Sequence, residues 1–175
     1  MPPAGRSPRI TPVEPPYDPE VGLDLEKLMP PGIPPLSIFR TIANHPRLLR
    51  KFRLTAPAFF AKGLLDPKDR ELIIHRACAR CGAEYEWGVH VAAFSRPMGF
   101  SEAWIHATVH ATADDPVWSE REALLVRMVD ELHDTGDVSD DLWKALAARW
   151  DVTQLVELVI LAGQYHLISF VVNAF

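Results

Sequence analysis

The chain has 175 residues, of which 48% are apolar, and carries a formal net charge of −5 at pH 7. This length and composition suffice for one domain with a hydrophobic core, and the acidic balance argues against nucleic acid as a partner. The two cysteines lie three residues apart, which is a poor framework for extracellular disulfide bonds. The N-terminus also lacks the charged-then-apolar order of a signal peptide, so we expect a cytoplasmic protein.

Proline is concentrated at the start of the chain, where residues 1–35 hold 11 of the 16 prolines. Because proline lacks an amide donor and restricts the residue before it, we predict an extended arm there, with one helical turn near residues 23–29. The arm is either disordered or wrapped around the body or a neighbouring subunit. Residues 36–175 are predicted to form a single all-α domain, because no stretch shows the alternation typical of a strand.

Helical spacing of apolar residues recurs after the arm. Asp66, Ser119 and Asp151 can accept hydrogen bonds from free N–H groups at helix starts. Gly82 is typical of a helix end, and Pro57 is expected to kink or interrupt its helix. The predicted helices cover residues 37–43, 46–60, 66–81, 83–96, 101–112, 119–133, 139–150 and the C-terminal stretch from 151.

The C-terminal segment from Leu155 to Phe175 is apolar enough to be compared with a membrane span. Glu157 and Gln164 interrupt it and no basic flank follows, so we predict a buried helix and no membrane partner. A long apolar helix is costly to expose, and we therefore also expect a homo-oligomer.

A polar stripe runs along this last helix, because His166, Ser169 and Asn173 are spaced three and four residues apart. These side chains could line a pocket or contact a partner chain. They could equally be satisfied within the core, with Ser169 bonding back to its own helix.

Glu86 and His90 are the main candidates for acid–base chemistry. They lie four residues apart and therefore share one helix face, with Trp87 and Phe94 among their apolar neighbours. A carboxylate and an imidazole in such surroundings lose solvation, which perturbs their pKa values and often marks a functional site. The alternative is an ordinary ion pair on the helix surface.

Cys78 and Cys81 are a rival centre that can be interpreted as a redox pair, half of a metal site or two small core residues. They lie near the predicted helix end at Gly82, where the helix dipole opposes a thiolate. No second CxxC motif accompanies them, so a zinc site is poorly supported, and the core interpretation is favoured.

A second arrangement with metal-ligand spacing is Glu102, His106 and His110, at positions i, i+4 and i+8 of one helix. Two histidines four residues apart can share a metal. No HExxH motif is present, however, and a partly solvated helix face is favoured. We therefore predict no metal site.

The segments DRELIIHRACARCGAEYEWGVHV and GQYHLISFVVNAF resemble the carboxymuconolactone decarboxylase family, which includes the alkylhydroperoxidase-D-like proteins. The resemblance implies an all-helical bundle that assembles into trimers or hexamers. The redox branch has a glutamate, eleven residues, Cys-x-x-Cys, three residues and a histidine. On this chain the glutamate falls on Glu71, the thiol positions on Ala83 and Glu86, and the histidine on His90.

The resemblance thus implies a decarboxylase-like branch that keeps the acid and the imidazole and lacks both motif thiols. By this likeness His90 and Glu86 would transfer protons and Glu71 would orient His90. Trp87, Phe94 and His166 are predicted to bind a small carboxylated or lactone-like substrate. No phosphate-binding loop is present, so we expect no cofactor.

Two other functions remain open. The first is a thiol peroxidase activity of the alkylhydroperoxidase or peroxiredoxin type, which would use Cys78 and Cys81 and needs a thiol of lowered pKa. The second is a non-catalytic, oligomeric binding protein, which solvated Glu86 and His90 side chains would favour.

Overall fold

The computed structural model describes residues 7–61 and 63–175. Regular structure in these ranges is helical and includes no strand, so the predicted all-α fold class is confirmed. The described residues form two compact units: Leu64–Asn173, here called the main unit, and an N-terminal unit that ends at Gly63 and includes Ala174–Phe175. The boundary predicted between residues 35 and 36 does not coincide with this division, and a single domain over 36–175 stays a prediction.

The N-terminal unit contains α1 (Pro19–Glu26), α2 (Ser37–Ile42) and α3 (Pro46–Ala61). Helix α1 begins at residue 19 rather than 23, because the Asp18 carboxylate accepts a hydrogen bond from the N–H of Glu20, the second helical residue, and proline suits the first position. Helix α3 continues through position 57. The first six residues of the predicted arm and the side chain of Pro57 lie outside the described residues.

The main unit is built on α4 (Pro67–Arg80), which contributes ten consecutive buried residues from Asp69 to Cys78. A helix buried on all sides forms the centre of a bundle rather than its surface. The helices around it are α5 (Glu84–His90), α6 (Arg96–Met98), α7 (Glu102–His110), α8 (Glu120–Thr135), α9 (Asp140–Ala147) and α10 (Val152–Ala174).

The helix predicted over residues 83–96 is longer than expected and changes its hydrogen-bonding pattern. After α5, one π-helical segment covers Val91–Ser95 and leads directly into α6. Pro97 lies in the first turn of α6, where its missing N–H is tolerated, and Gly99 ends the helix at φ 70°. Such π segments are frequent at functional sites.

The predicted helix boundaries in the main unit are largely confirmed. Ser119 and Glu122 form both hydrogen bonds of a capping box at the start of α8. Asp151 and Gln154 do the same before α10, with bonds of 2.9 and 3.1 Å. Gly82 follows the end of α4 at φ 64°, a conformation that glycine adopts without strain.

Arg76 ties α4 to two other helices of the main unit. Its guanidinium donates to both carboxylate oxygens of Asp130 on α8, each at 2.7 Å. It also donates to the carbonyl oxygens of Thr108 at 3.2 Å and Ala111 at 2.9 Å, at the end of α7. The side chain is 5% exposed, so this buried cation has its hydrogen bonds well satisfied.

Helix α10 differs from the buried helix that was predicted. One face is buried, while the opposite face exposes large apolar side chains: Val152, Val156, Ile160, Leu167 and Phe170. A sequence that is apolar all round does not reveal which face the bundle covers. By length and composition this helix could cross a membrane, but 39% of its most apolar stretch is buried within the protein. A single helix of this kind is weak evidence for a membrane span.

Candidate active site

His90 lies at the centre of a buried polar cluster in the main unit. Its side chain is enclosed, with 4% of the residue exposed. Nδ1 lies 2.7 Å from Oε2 of Glu71, and Nε2 lies 3.0 Å from the hydroxyl of Tyr165. Oε1 of Glu86 is 3.6 Å from the same Nε2. The structure therefore brings together the three predicted acid–base residues and adds a phenol.

Three helices position these groups. Glu71 comes from the centre of α4, Glu86 and His90 share one face of α5, and Tyr165 comes from α10. Because α4 is the central helix, the Glu71 carboxylate is fully buried. Its second oxygen accepts a hydrogen bond of 3.0 Å from Nε of Arg70, so both oxygens have donors, as a buried carboxylate requires.

Burial and neighbouring charges shift the pKa of His90 in opposite directions. Burial acts to lower the pKa of the imidazole, but the interactions with Glu71 and then Glu86 outweigh it and raise the pKa above 6.5. Burial raises the pKa of Tyr165 well above its usual range, and the charges of Glu86 and Glu71 raise it further. Tyr165 therefore stays protonated and can donate to the neutral imidazole.

Glu86 has an oxygen that is unusual for a buried carboxylate. The residue is 6% exposed, and among the residues that the structure describes its Oε2 finds no hydrogen-bond partner. Buried polar atoms are normally paired, so an unpaired one at a polar cluster marks a position where a ligand or a proton could be accommodated.

Comparison with known proteins tests the family interpretation. Residues 46–127 match the model of the carboxymuconolactone decarboxylase family. The predicted resemblance to this family is confirmed. A search of curated proteins finds no match.

Two solved structures have similar folds. One is a protein of unknown function from Agrobacterium tumefaciens, named as a candidate antioxidant defence protein AhpD. It has a TM-score of 0.69 and 23% identity, over 77% of this chain and 91% of that one. The other is an uncharacterised peroxidase-related protein from a Silicibacter species, with a TM-score of 0.78 and 14% identity over 98% and 92% of the two chains. At these identities the likeness shows the fold alone.

By the resemblance to the redox branch of the family, the two motif thiol positions fall on Ala83 and Glu86, at the start of the helix that carries His90. Ala83 is buried and precedes the first turn of α5, and Glu86 lies one turn before His90. The site thus has a methyl group and a carboxylate at the two places where that branch carries sulfur.

The cysteines of this chain have different surroundings. Cys78 is fully buried in α4, and burial, followed by the charge of Glu86, raises the pKa of its thiol well above 9.0. A thiol of this kind is a poor nucleophile. Cys81 ends α4 and is half-buried, with Sγ 3.8 Å from Nδ1 of His133.

The three predicted substrate-binding residues lie in different places. Phe94 is beside the catalytic candidate, with its ring centroid 5.2 Å from that of His90. The indole N–H of Trp87 donates to the Thr108 hydroxyl on α7 at 3.1 Å. His166 lies beside His133, with Nε2 3.1 Å from Nδ1 of that residue. Their roles in binding substrate stay predictions.

Sequence reasoning missed Arg70 and Tyr165. Arg70 adjoins Glu71 in the chain, and its burial was not apparent from a helix pattern. Tyr165 lies within the GQYHLISF segment that carried the family resemblance. A polar phenol in that otherwise apolar segment was the signal that could have marked it as a candidate site residue. The same helix supplies Ser169, which bonds back to the Tyr165 carbonyl oxygen at 2.6 Å, as the core interpretation of the polar stripe predicted.

Proposed function

We propose that this protein is an acid–base enzyme of the carboxymuconolactone decarboxylase family that acts without a thiol. The observation that carries the proposal is the buried imidazole of His90, with one nitrogen held by a carboxylate and the other facing a carboxylate and a phenol. Glu71 fixes the proton on Nδ1, so Nε2, which faces Tyr165 and Glu86, is the nitrogen that can exchange a proton with a substrate. A solvated Glu86–His90 pair would have favoured a non-catalytic protein, and both residues are buried.

The substrate class that suits this site is a small lactone or related acid bearing a carboxylate. In a decarboxylation, the bond between the ring carbon and the carboxylate breaks and carbon dioxide leaves. The electron pair stays with the carbon framework as an enolate, which must receive a proton at carbon. A raised pKa keeps a share of His90 protonated near neutral pH, so its Nε2–H can supply that proton.

Tyr165 and Glu86 have supporting roles in this scheme. The Tyr165 hydroxyl can donate a hydrogen bond where negative charge develops, which lowers the barrier of such reactions. Each decarboxylation consumes one proton, which solvent must replace, and Glu86 can accept that proton at its unpaired Oε2 and pass it to His90. The same set of groups would serve an isomerisation, which moves a proton between carbon atoms, or a hydrolysis, in which a base takes a proton from water and an acid protonates the leaving oxygen.

The proposal is tested with an unsaturated lactone acid as substrate and carbon dioxide release as the signal. His90→Ala is expected to lower kcat by about 10²- to 10⁴-fold, the usual contribution of a general acid or base. Glu86→Gln keeps the shape of the side chain and should lower kcat in the same direction. The double variant Cys78→Ala with Cys81→Ser should keep its activity. Equal rates for wild type and His90→Ala would remove this histidine from the mechanism.

A thiol peroxidase is the second candidate, favoured by the half-buried Cys81 and its contact with an imidazole. The two similar structures also carry names that refer to antioxidant defence and peroxidase. The enclosed Cys78 with its raised pKa opposes a two-thiol cycle. Peroxide consumption that disappears in Cys81→Ser and persists in His90→Ala would establish this activity in place of the first.

A further inference from the structure

Cys81, His133 and His166 form a second cluster in the main unit, separate from the His90 cluster. Each offers one atom, and these three atoms lie within 4.8 Å of one another. The two ring nitrogens, Nδ1 of His133 and Nε2 of His166, are 3.1 Å apart. The Cys81 sulfur is 3.8 Å from the same Nδ1.

These separations are those of ligands around one tetrahedral ion. Bonds of about 2.0–2.1 Å from zinc to nitrogen and about 2.3 Å to sulfur give tetrahedral edges of about 3.4 Å between nitrogens and about 3.6 Å between nitrogen and sulfur. The observed 3.1 and 3.8 Å are close to both values. Small side-chain adjustments would suffice to bring all three atoms to bonding distance.

The neighbouring groups already orient the cluster. Nδ1 of His166 lies 2.8 Å from the carbonyl oxygen of Ala162, which can only accept a hydrogen bond. That nitrogen therefore carries the proton, and the lone pair of His166 is on Nε2, the atom that faces the cluster. The side-chain amide of Asn173 donates to the carbonyl oxygen of Cys81 at 2.8 Å and holds the backbone that carries the sulfur.

The charges around the cluster are compatible with a cation. Arg80 is the nearest positive group in sequence, and it is paired with Asp134 and lies 3.6 Å from Asp130. All three candidate ligands are half-buried, so an ion could enter from solvent and a water molecule could complete the tetrahedron.

From this arrangement we propose a binding site for a single Zn²⁺ ion with Cys81, His133 and His166 as its three protein ligands. Thiolate and imidazole are the ligands that this borderline ion prefers. The ligands come from the end of α4, from α8 and from α10, so the ion would join three helices. Because these helices are distant in the chain, the spacing of residues along the sequence does not predict the site. The site does not depend on the chemistry proposed for His90.

The test uses the full chain, stripped of metal with a chelator and titrated with Zn²⁺ in a calorimeter. We expect one ion per chain and an increase in Tm, because an ion that binds the folded state alone stabilises it. Titration with Co²⁺ should give the sulfur-to-cobalt charge-transfer absorption and the intense visible bands of a tetrahedral site. Cys81→Ser and His133→Ala should each weaken Zn²⁺ binding by more than about 100-fold, beyond the usual effect of an outer-shell residue.

Two control variants make the test specific. Cys78→Ala removes the other thiol, and His106→Ala removes one of two exposed histidines on α7 whose rings are 4.3 Å apart. Both should keep full Zn²⁺ affinity. The proposal is overturned if the wild-type protein binds no ion at micromolar concentrations or gives no sulfur-to-cobalt band. It is also overturned if His106→Ala, rather than Cys81→Ser, abolishes binding.

Discussion

Replacement of Arg76 by alanine removes the buried cation that links α4, α7 and α8. The change deletes two hydrogen bonds to Asp130 and one each to the carbonyl oxygens of Thr108 and Ala111. It also leaves the carboxylate of Asp130 without its main partner in a position where that side chain is 21% exposed.

The cost follows from these contacts. Breaking a buried ion pair by removing one partner destabilises a protein by about 3–5 kcal/mol. Partial exposure lets water solvate Asp130, and Arg80 at 3.6 Å from its Oδ1 can compensate in part, which favours the lower end of that range. The two carbonyl oxygens each lose a hydrogen bond worth about 1 kcal/mol, so we expect a total of about 5 kcal/mol. For a chain of this length that corresponds to a decrease in Tm of roughly 10–20 °C.

Urea unfolding followed by circular dichroism measures the free energy of unfolding directly. The matched control is Arg127→Ala, whose ion pair with Asp114 is exposed on both sides, at 44% and 84%. We expect that control to cost less than about 1 kcal/mol. If Arg76→Ala and Arg127→Ala destabilise the protein equally, the inference that a satisfied buried cation holds these helices together is incorrect.

The remaining predictions concern His90, the thiols and self-association. Glu71→Gln should lower the pKa of His90 in an NMR titration, because a charge that raises it is removed, and an unchanged titration would contradict the assigned contact. Since the pKa of His90 is raised in the folded state, its stabilising effect is fully present below about pH 6.5 and is lost as the pH rises through the folded pKa. The stability difference between wild type and Glu71→Gln should therefore shrink at alkaline pH in urea titrations. A disulfide reagent should modify Cys81 in the native protein and reach Cys78 only after denaturation, and equal rates would show that the thiol of Cys78 is accessible. Light scattering should show a homo-oligomer that Phe170→Asp weakens, and a wild-type monomer at micromolar concentration would exclude it.

The boundaries of the main-unit helices could be predicted because their signals are local. A capping box, a proline in a first turn or a glycine after a last turn acts within three or four residues. Ser119 with Glu122 and Gly82 were therefore interpretable from the sequence alone. The pairing of Glu86 with His90 belongs to the same class, since both lie on one helix.

Groups that meet across helices could not be found in this way. Tyr165 is 75 positions from His90, and Cys81 is 52 positions from His133. Helical periodicity says which face a residue occupies and nothing about which distant helix lies opposite. Glu71 was found by its resemblance to a family motif and not by spacing.

The exposed face of α10 shows a related limit. Large apolar residues occur on every side of this helix, so periodicity did not show which of its faces the bundle covers. The exposed face includes Val156 and Ile160, which also line an open groove of about 480 Å³ together with Trp143 of α9. None of these three residues belongs to the His90 cluster, so the groove is separate from the candidate active site.

The π-helical segment Val91–Ser95 has a consequence for comparing this chain with its relatives. A helix with α-type hydrogen bonds throughout would span the same distance with one residue fewer. A relative whose corresponding helix is regular should therefore align with a one-residue gap just after the position of His90. Phe94 would then have no counterpart at the same angle around the helix axis, even where every other neighbour of the imidazole is shared.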